Sequence, residues 1–336
     1  MASGQGSDCW VGIGEESTWG TSVSRTKFFQ PVSLTPKVEI NLGYSRTMYS
    51  LDPQRKFVQR RRSVGDVELE FLYSNHLKLL KHALGGSTIA QIGTTAAYKA
   101  EFARTTTAGA WAQLPNGLTV EVNEGIENYL HVGCKVGQLE IRLQPDQLPS
   151  GVFSLVGKDG SLNGSPSTPS FGSDADMITP SQVAVYIGTT DYSAEVKSIS
   201  FTIGNGLDAE RGRMGSVNIK EPVRTQRPDT MVRLELEYND TTKGLVADFL
   251  AGTSKSIRAT ATGAAIGASG QNQTFMIECP NCAIEDGFPA PSDTGIIPLT
   301  LSLKAMAQAG GASWQNTTSG MGGSIRITCI TSETSI

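Results

Sequence analysis

One stretch of this chain occurs twice, and the repeat limits what it can fold into. From Val67 the sequence reads VELEFLYSNHLKLLKHALGGS, and from Val232 it reads VRLELEYNDTTKGLVADFLAGTS. Val67, Leu69, Glu70, Tyr73, Lys78 and Leu80 return as Val232, Leu234, Glu235, Tyr238, Lys243 and Leu245, and after a one-residue gap Leu84 and Gly86 match Leu250 and Gly252. Each copy reads as an alternating strand followed by a short helix that ends at glycine, and about one domain's length of chain separates the two. Two similar units in tandem favour a scaffold or ring builder over a lone catalytic site.

Composition agrees with a large, mainly β protein. The 336 residues leave room for two cores, and 38% hydrophobic content with 37 glycines suits short strands joined by many turns. A formal net charge of -4 gives no global attraction to nucleic acid or to an anionic membrane, so any such contact must come from local patterning. No apolar run reaches membrane-spanning length, and the opening MASGQGSDCW lacks the basic and apolar segments of a signal peptide. The five cysteines, at 9, 134, 279, 282 and 329, are odd in number and sparse, which fits reduced thiols better than a disulfide framework. Cys279 and Cys282 have the spacing of half a zinc site or of a redox pair, but no second pair stands ready. His76, His82 and His131 are not at ligand spacing either, so two small residues at a turn between strands is the favoured reading.

The alternation predicts two domains. In the first, residues 1–160, Val38, Ile40 and Leu42 alternate with polar residues, as do Val67, Leu69 and Phe71, and then Leu139, Ile141 and Leu143. Its helix has Ser74 or Asn75 as a candidate cap, Leu77, Leu80 and Leu84 on one face, and Gly85 where a left-handed residue is wanted. Residues 161–180, rich in Ser, Gly and Pro, read as a linker. The second domain, 181–310, carries strands at 183–187, 198–203, 232–238 and 299–303 and a helix from about Asp240 to Leu250. In the C-terminal extension, 311–336, Ile325, Ile327 and Cys329 form one more alternating run, expected as an added edge strand.

Each copy also holds a long insertion between its first two strong strands. The first, Tyr44 to about Val64, carries Arg46, Arg55, Lys56, Arg60, Arg61 and Arg62 against Asp52 alone; the second, Asn205 to about Asp229, mixes both signs. Loops of this length inside compact domains are functional or disordered as a rule. The run shows no recognisable groove-reading pattern, which favours contact with an acidic patch on another subunit over nucleic-acid binding.

The order of elements, VGIGEESTWGT (Val11 to Thr21), FFQPVSL (Phe28 to Leu34), a long basic loop, GDVELEF (Gly65 to Phe71) and a leucine helix ending ALGG, resembles the tail tube proteins of long-tailed bacteriophages. The resemblance covers most of the first copy and, more weakly, residues 183 to about 307. It implies two tandem β-sandwich or partial-barrel domains, each flanked by one short α-helix, with sheets that join around a ring to line a channel and a long loop that reaches the adjacent ring. It also implies a structural virion protein of the tail, assembled in the host cytoplasm, that uses no cofactor and is not an enzyme. The expected partners are further copies of itself, a tape measure protein and genome DNA passing through the lumen without sequence-specific binding, and the tail terminator and distal tail proteins, with no membrane contact. Family members with one domain form hexamers, so two domains per chain predict a trimeric ring with pseudo-sixfold symmetry, with a true hexamer as the alternative. About four strands from each of six domains, at about 4.8 Å spacing, give a circumference near 115 Å and a diameter upwards of about 37 Å, wide enough for a DNA duplex.

With Val67, Leu69, Val232 and Leu234 facing inwards, Glu68, Glu70, Arg233, Glu235 and Glu237 face outwards, and in a ring the carboxylates Glu68, Glu70, Glu235 and Glu237 would line the channel and repel phosphate. The alternation fits ordinary solvent-facing positions equally well. Enzymatic readings find no support: the chain has no G-x-S-x-G elbow and no H-E-x-x-H, and the glycine-rich Gly14 to Thr21 lacks the lysine of a phosphate loop. The alternative from another class is a β-rich receptor-binding or adhesive virion protein.

Overall fold

The computed structural model describes residues 5–45, 48, 51–104, 114–291, 294–307 and 323–336. In the first half the strands are β1 (Trp10–Glu15), β2 (Lys27–Phe29), β3 (Pro31–Leu34), β4 (Lys37–Ser45) and β5 (Arg55–Glu70), followed by helix α1 (Leu77–Leu84). Then come β6 (Gly86–Gln91), β7 (Tyr98–Ala103), β8 (Leu118–Asn123), β9 (Asn128–Gln144), β10 (Gln147–Gly157) and β11 (Asp159–Leu162). The second half has β12 (Val183–Ile187), β13 (Thr190–Asp191), β14 (Val196–Gly204), the short pair β15 (Leu207–Asp208) and β16 (Val223–Arg224), β17 (Asp229–Glu237) and helix α2 (Lys243–Leu250). It closes with β18 (Lys255–Ala265), β19 (Asn272–Asp286), β20 (Pro298–Ala305) and β21 (Arg326–Thr331). The protein is mainly β, as its alternation requires.

A continuous sheet of antiparallel strands organises the molecule. β3 and β4 pair with β5, β5 with β10, and β10 with the C-terminal half of β9. β9 then pairs with β14, β14 with β17, β17 with β20, and β20 with the last residues of β19. The β9–β14 ladder is a seam between the halves, with Leu143 opposite Ile199, Ile141 opposite Phe201 and Leu139 opposite Ile203. All six side chains are buried. At about 1.5–3 kcal/mol for each, their burial contributes on the order of 10 kcal/mol before ordering costs, so the seam is a core feature.

Period-two alternation gives this sheet two unlike faces. One carries Val67, Leu69, Phe153, Leu139, Ile141, Phe201, Val232, Leu234, Leu301 and Leu303, all within one contiguous apolar core. Helix α1 covers part of it with Leu77, Leu80 and Leu84, and Gly85 takes the expected left-handed turn at φ 94°. The start of α1 differs from expectation. His76 is the N-cap and makes no side-chain cap; Ser74 bonds Asp176 and Asn75 donates to the Phe28 carbonyl at 3.1 Å, because tertiary partners take both side chains. The N-terminal strand β1 lies between β2 and β8 in an outer layer. Glu16, buried at its end, accepts from the Gly20 amide (2.6 Å), the Gly133 amide (2.8 Å) and Thr119 Oγ1 (3.0 Å), which ties the VGIGEESTWGT stretch to β8 and β9.

Three other expectations change. Residues 161–180 do not run free: the buried Glu121 accepts from Asn163 Nδ2, the Ser167 amide and Ser167 Oγ, Leu72 bridges to Met177, and Ile178 sits in the core. β21 is no edge strand. It lies between β7 of the first half and β19 of the second, with both faces covered. The reason is Arg326, fully buried, whose guanidinium meets Glu278 at 2.6 Å and Glu101 at 3.4 Å, so the polar face of the alternating run is neutralised inside the protein. The first basic insertion, finally, is largely strand. β5 runs unbroken through Arg55 to Arg62 and pairs with β4 as a long ribbon, because each basic residue finds a ladder partner in Ser45 to Glu39.

Candidate assembly surface

The second face of the sheet is open and polar. On it lie Asp66, Glu68 and Glu70 of β5, Ser150, Val152 and Ser154 of β10, Gln138, Glu140 and Arg142 of β9, Ser200 and Thr202 of β14, Arg233, Glu235 and Glu237 of β17, and Ser302 and Lys304 of β20. Cross-strand register places these in rows, for example Glu70, Ser150, Arg142, Ser200, Arg233, Ser302 and Asp286. Carboxylates outnumber cations, and several cations are tied up. Arg142 pairs with Glu140 at 2.9 Å and approaches Glu68 at 3.8 Å; Lys197 reaches Glu237 at 3.6 Å, and Lys304 reaches Asp229 at 3.3 Å. Glu70, Arg233 and Glu235 are exposed and Glu68 and Glu237 half-buried, so all five outward residues read from the alternation share this face.

The ribbon carries the other singled-out residues. Arg46 lies outside the described residues. Arg55 and Lys56 are exposed towards its tip. Nearer the root, Arg60 pairs with Glu210; Arg62 pairs with Glu39 (2.7 Å) and Glu210 (2.6 Å), and Arg61 with Asp159 (2.6 Å). The Arg61 amide also donates to the Val217 carbonyl at 2.7 Å. Three of the six basic residues therefore meet carboxylates of their own chain, where sequence alone suggested another subunit's. The ribbon's apolar side chains lie open, although the alternation of Ile40 and Leu42 predicted a hidden face: Ile40, Leu42, Tyr44, Phe57 and Val58 are exposed, and Met48 and Leu51 are fully so. Apolar exposure concentrated on one projecting element marks an interaction surface. The signal was present, since Leu42, Tyr44, Phe57 and Val58 stand among the charges in the same run.

Two segments of this sheet are left open at an edge, β3–β4 on one side and, past the pairing of β19 with β18 that stops at Cys282, residues 283–286 on the other. Val32 (58% exposed) and Phe288 (55% exposed) lie at these edges, and Phe288 stacks edge-on against Phe249 with ring centroids 5.3 Å apart. An unpaired edge beside exposed apolar side chains is a template for another strand. Among the described residues no group of three or more His, Cys, Asp or Glu could hold a metal, and no helix is long and apolar enough to cross a membrane. The five cysteines are free; burial raises Cys134, Cys279 and Cys329, the opposite of an activated thiolate.

A chain whose main feature is a two-faced sheet with open edges and a projecting ribbon belongs to the class of β-rich structural proteins. The family model described as phage tail tube protein matches residues 6–309, and the chain belongs to that family, a component of the virion tail. No curated protein matches it.

Proposed function

We propose that three copies of this chain close edge to edge into a ring of about 24 strands, and that such rings stack into the tube through which genome DNA passes. The observation that carries this reading is the β9–β14 seam, which already joins two four-strand units in one chain by edge pairing. One unit is residues 1–160 and the other 181–310, so three chains supply six units and a bore upwards of about 37 Å across. The open face, with Glu68, Glu70, Glu235 and Glu237, lines the bore. Its carboxylates repel phosphate, so DNA slides without being held by its backbone.

The ribbon supplies the axial contact. Strand polarity sends its tip beyond the end of the sheet opposite the β9–β10 turn, and a protrusion at one end only makes a heterologous contact that does not close on itself, so rings polymerise. Met48, Leu51, Arg55 and Lys56 meet the neighbouring ring, while Arg60, Arg61 and Arg62 brace the root against their own chain. Arg46 belongs to the same inter-ring segment by position. The tape measure protein occupies the bore before DNA does, terminator and distal tail proteins cap the two ends, and assembly takes place in the host cytoplasm. Electron microscopy of the purified protein tests the reading: regular stacked rings with an axial bore support it, whereas isolated monomers, or closed particles without a bore as an adhesive protein would form, contradict it.

A further inference from the structure

The seam inside the chain contains the register of a junction that one chain cannot make alone. Val67 of β5 and Val232 of β17 are matching residues of the repeat. Leu34 stands opposite Val67 as Phe201 stands opposite Val232, so β3 and the start of β4 occupy the place of β14. On the other side, Phe153 opposes Val67 and Leu303 opposes Val232, and their next partners are Leu139 and Ile284, so the end of β19 occupies the place of β9. The directions agree as well: β19 runs parallel to β9 through the sheet and β3 parallel to β14, so the two free edges are antiparallel, as the seam is.

Resting on the proposed three-chain ring, we infer that residues 31–36 of one chain pair antiparallel with residues 284–289 of the next, with Asp286 opposite Thr35. This pair repeats Glu140 opposite Thr202 in the seam: Asp286 and Glu140 oppose Ser302 and Val152, while the Thr35 amide donates to the Asp66 carbonyl at 3.0 Å and Thr202 opposes the matching Met231. An acid therefore faces a threonine at both junctions. With its amide committed to Asp66, Thr35 leaves Leu34 to present N–H and C=O outwards, and it does so towards Gly287. Pro31 and Pro36 have no N–H to give, which confines the ladder to a short strip and keeps the edge from templating longer, unregistered pairing. Val32 and Phe288, exposed in the lone chain, both fall within the two paired segments, with Phe288 opposite Ser33.

Cross-linking tests the register. In a Cys9→Ser background, Thr35→Cys with Asp286→Cys puts two Cβ atoms within disulfide reach across a directly opposed pair, whereas Val32→Cys with Asp286→Cys is three residues out of register. Oxidised tubes of the first variant should give a covalent ladder ending at three chains on a non-reducing gel, at least about tenfold more than the second. Phe288→Ser should leave the lone chain folded by circular dichroism and lower the yield of rings. Intact tubes in which the shifted pair links, or neither does, or in which Phe288→Ser forms rings as readily as the parent, would overturn the inferred junction and leave the tube itself standing. A ladder that ends at six would keep the junction and remove the three-chain ring, and a parent protein that forms no rings would remove both.

Discussion

The two insertions occupy matching places in the repeat, between the edge strand of each unit and its Val67 or Val232 strand, and they differ in almost every respect. The first forms a long ribbon of β4 and β5 whose far half exposes Leu42, Tyr44, Phe57 and Val58. The second, 205–228, is irregular apart from the short pair β15 and β16, and it folds back on the first: Glu210 takes Arg60 and Arg62, and the Val217 carbonyl takes the Arg61 amide. At its base the fully buried Asn205 donates to the Ala83 and Val136 carbonyls and accepts from Arg224 at 2.9 Å. The sheet keeps the repeat while the insertions do not: one projects and the other buttresses it. The wall of the proposed ring is thus sixfold in pattern and its end faces threefold.

The largest expected effect breaks that contrast outright. Replacing residues 45–55 by a two-residue Asn-Gly turn should leave rings intact and abolish stacking, read by electron microscopy; stacked tubes would show that the ribbon is not the axial element. Next comes the seam on which both units depend. Phe201→Ala should cost about 3–5 kcal/mol in denaturant unfolding, as for a large aromatic deleted from a core, and a loss below about 1 kcal/mol would mean that the halves do not share one cooperative core. The ribbon root should also be acid-sensitive. His131 is buried with Nδ1 at 2.7 Å from Ser63 Oγ, and burial lowers its pKa to about 4. The folded value lies below the unfolded one, so the unfolded chain takes the proton first: stability is full above about pH 6.5, falls as pH drops to about 4, and loses nothing more from this group below that, about 3 kcal/mol in all. His131→Asn should make that part of the pH profile shallower, the buried His76, also lowered to about 4, keeping the rest of the slope. The smallest effect is at the buttress. Glu210→Ala removes a half-exposed partner of Arg60 and Arg62 and should cost no more than about 1 kcal/mol, with a measurable loss of tube stiffness if the second insertion braces the first.

Much of the wall was legible in the sequence and much of its surroundings was not, for physical reasons. Val67, Leu69, Leu139, Ile141 and Leu143 announce strands because period-two burial is local to the chain, and Glu68, Glu70, Glu235 and Glu237 inherit their face from it. That β9 should meet β14 is a long-range choice that alternation does not encode. Arg61 reads as a free charge until Asp159, nearly a hundred residues later, is brought beside it. Composition does not reveal how 161–180 is held, since a carboxylate on β8 does the fixing there that apolar residues do elsewhere. Arg326 was hidden in the same way, since alternation marks a polar position as outward unless acids from two other strands converge on it.

The central claim is a closed wall to which each chain gives eight adjacent strands, and a reconstruction of the assembled tube by electron cryomicroscopy tests it most directly. Three chains per ring, with the β9–β14 seam alternating around the bore with its chain-to-chain counterpart and three ribbons leaving one end face, is the predicted result. Six chains per ring, or a wall in which neighbouring sheets fail to join at their edges, would contradict it.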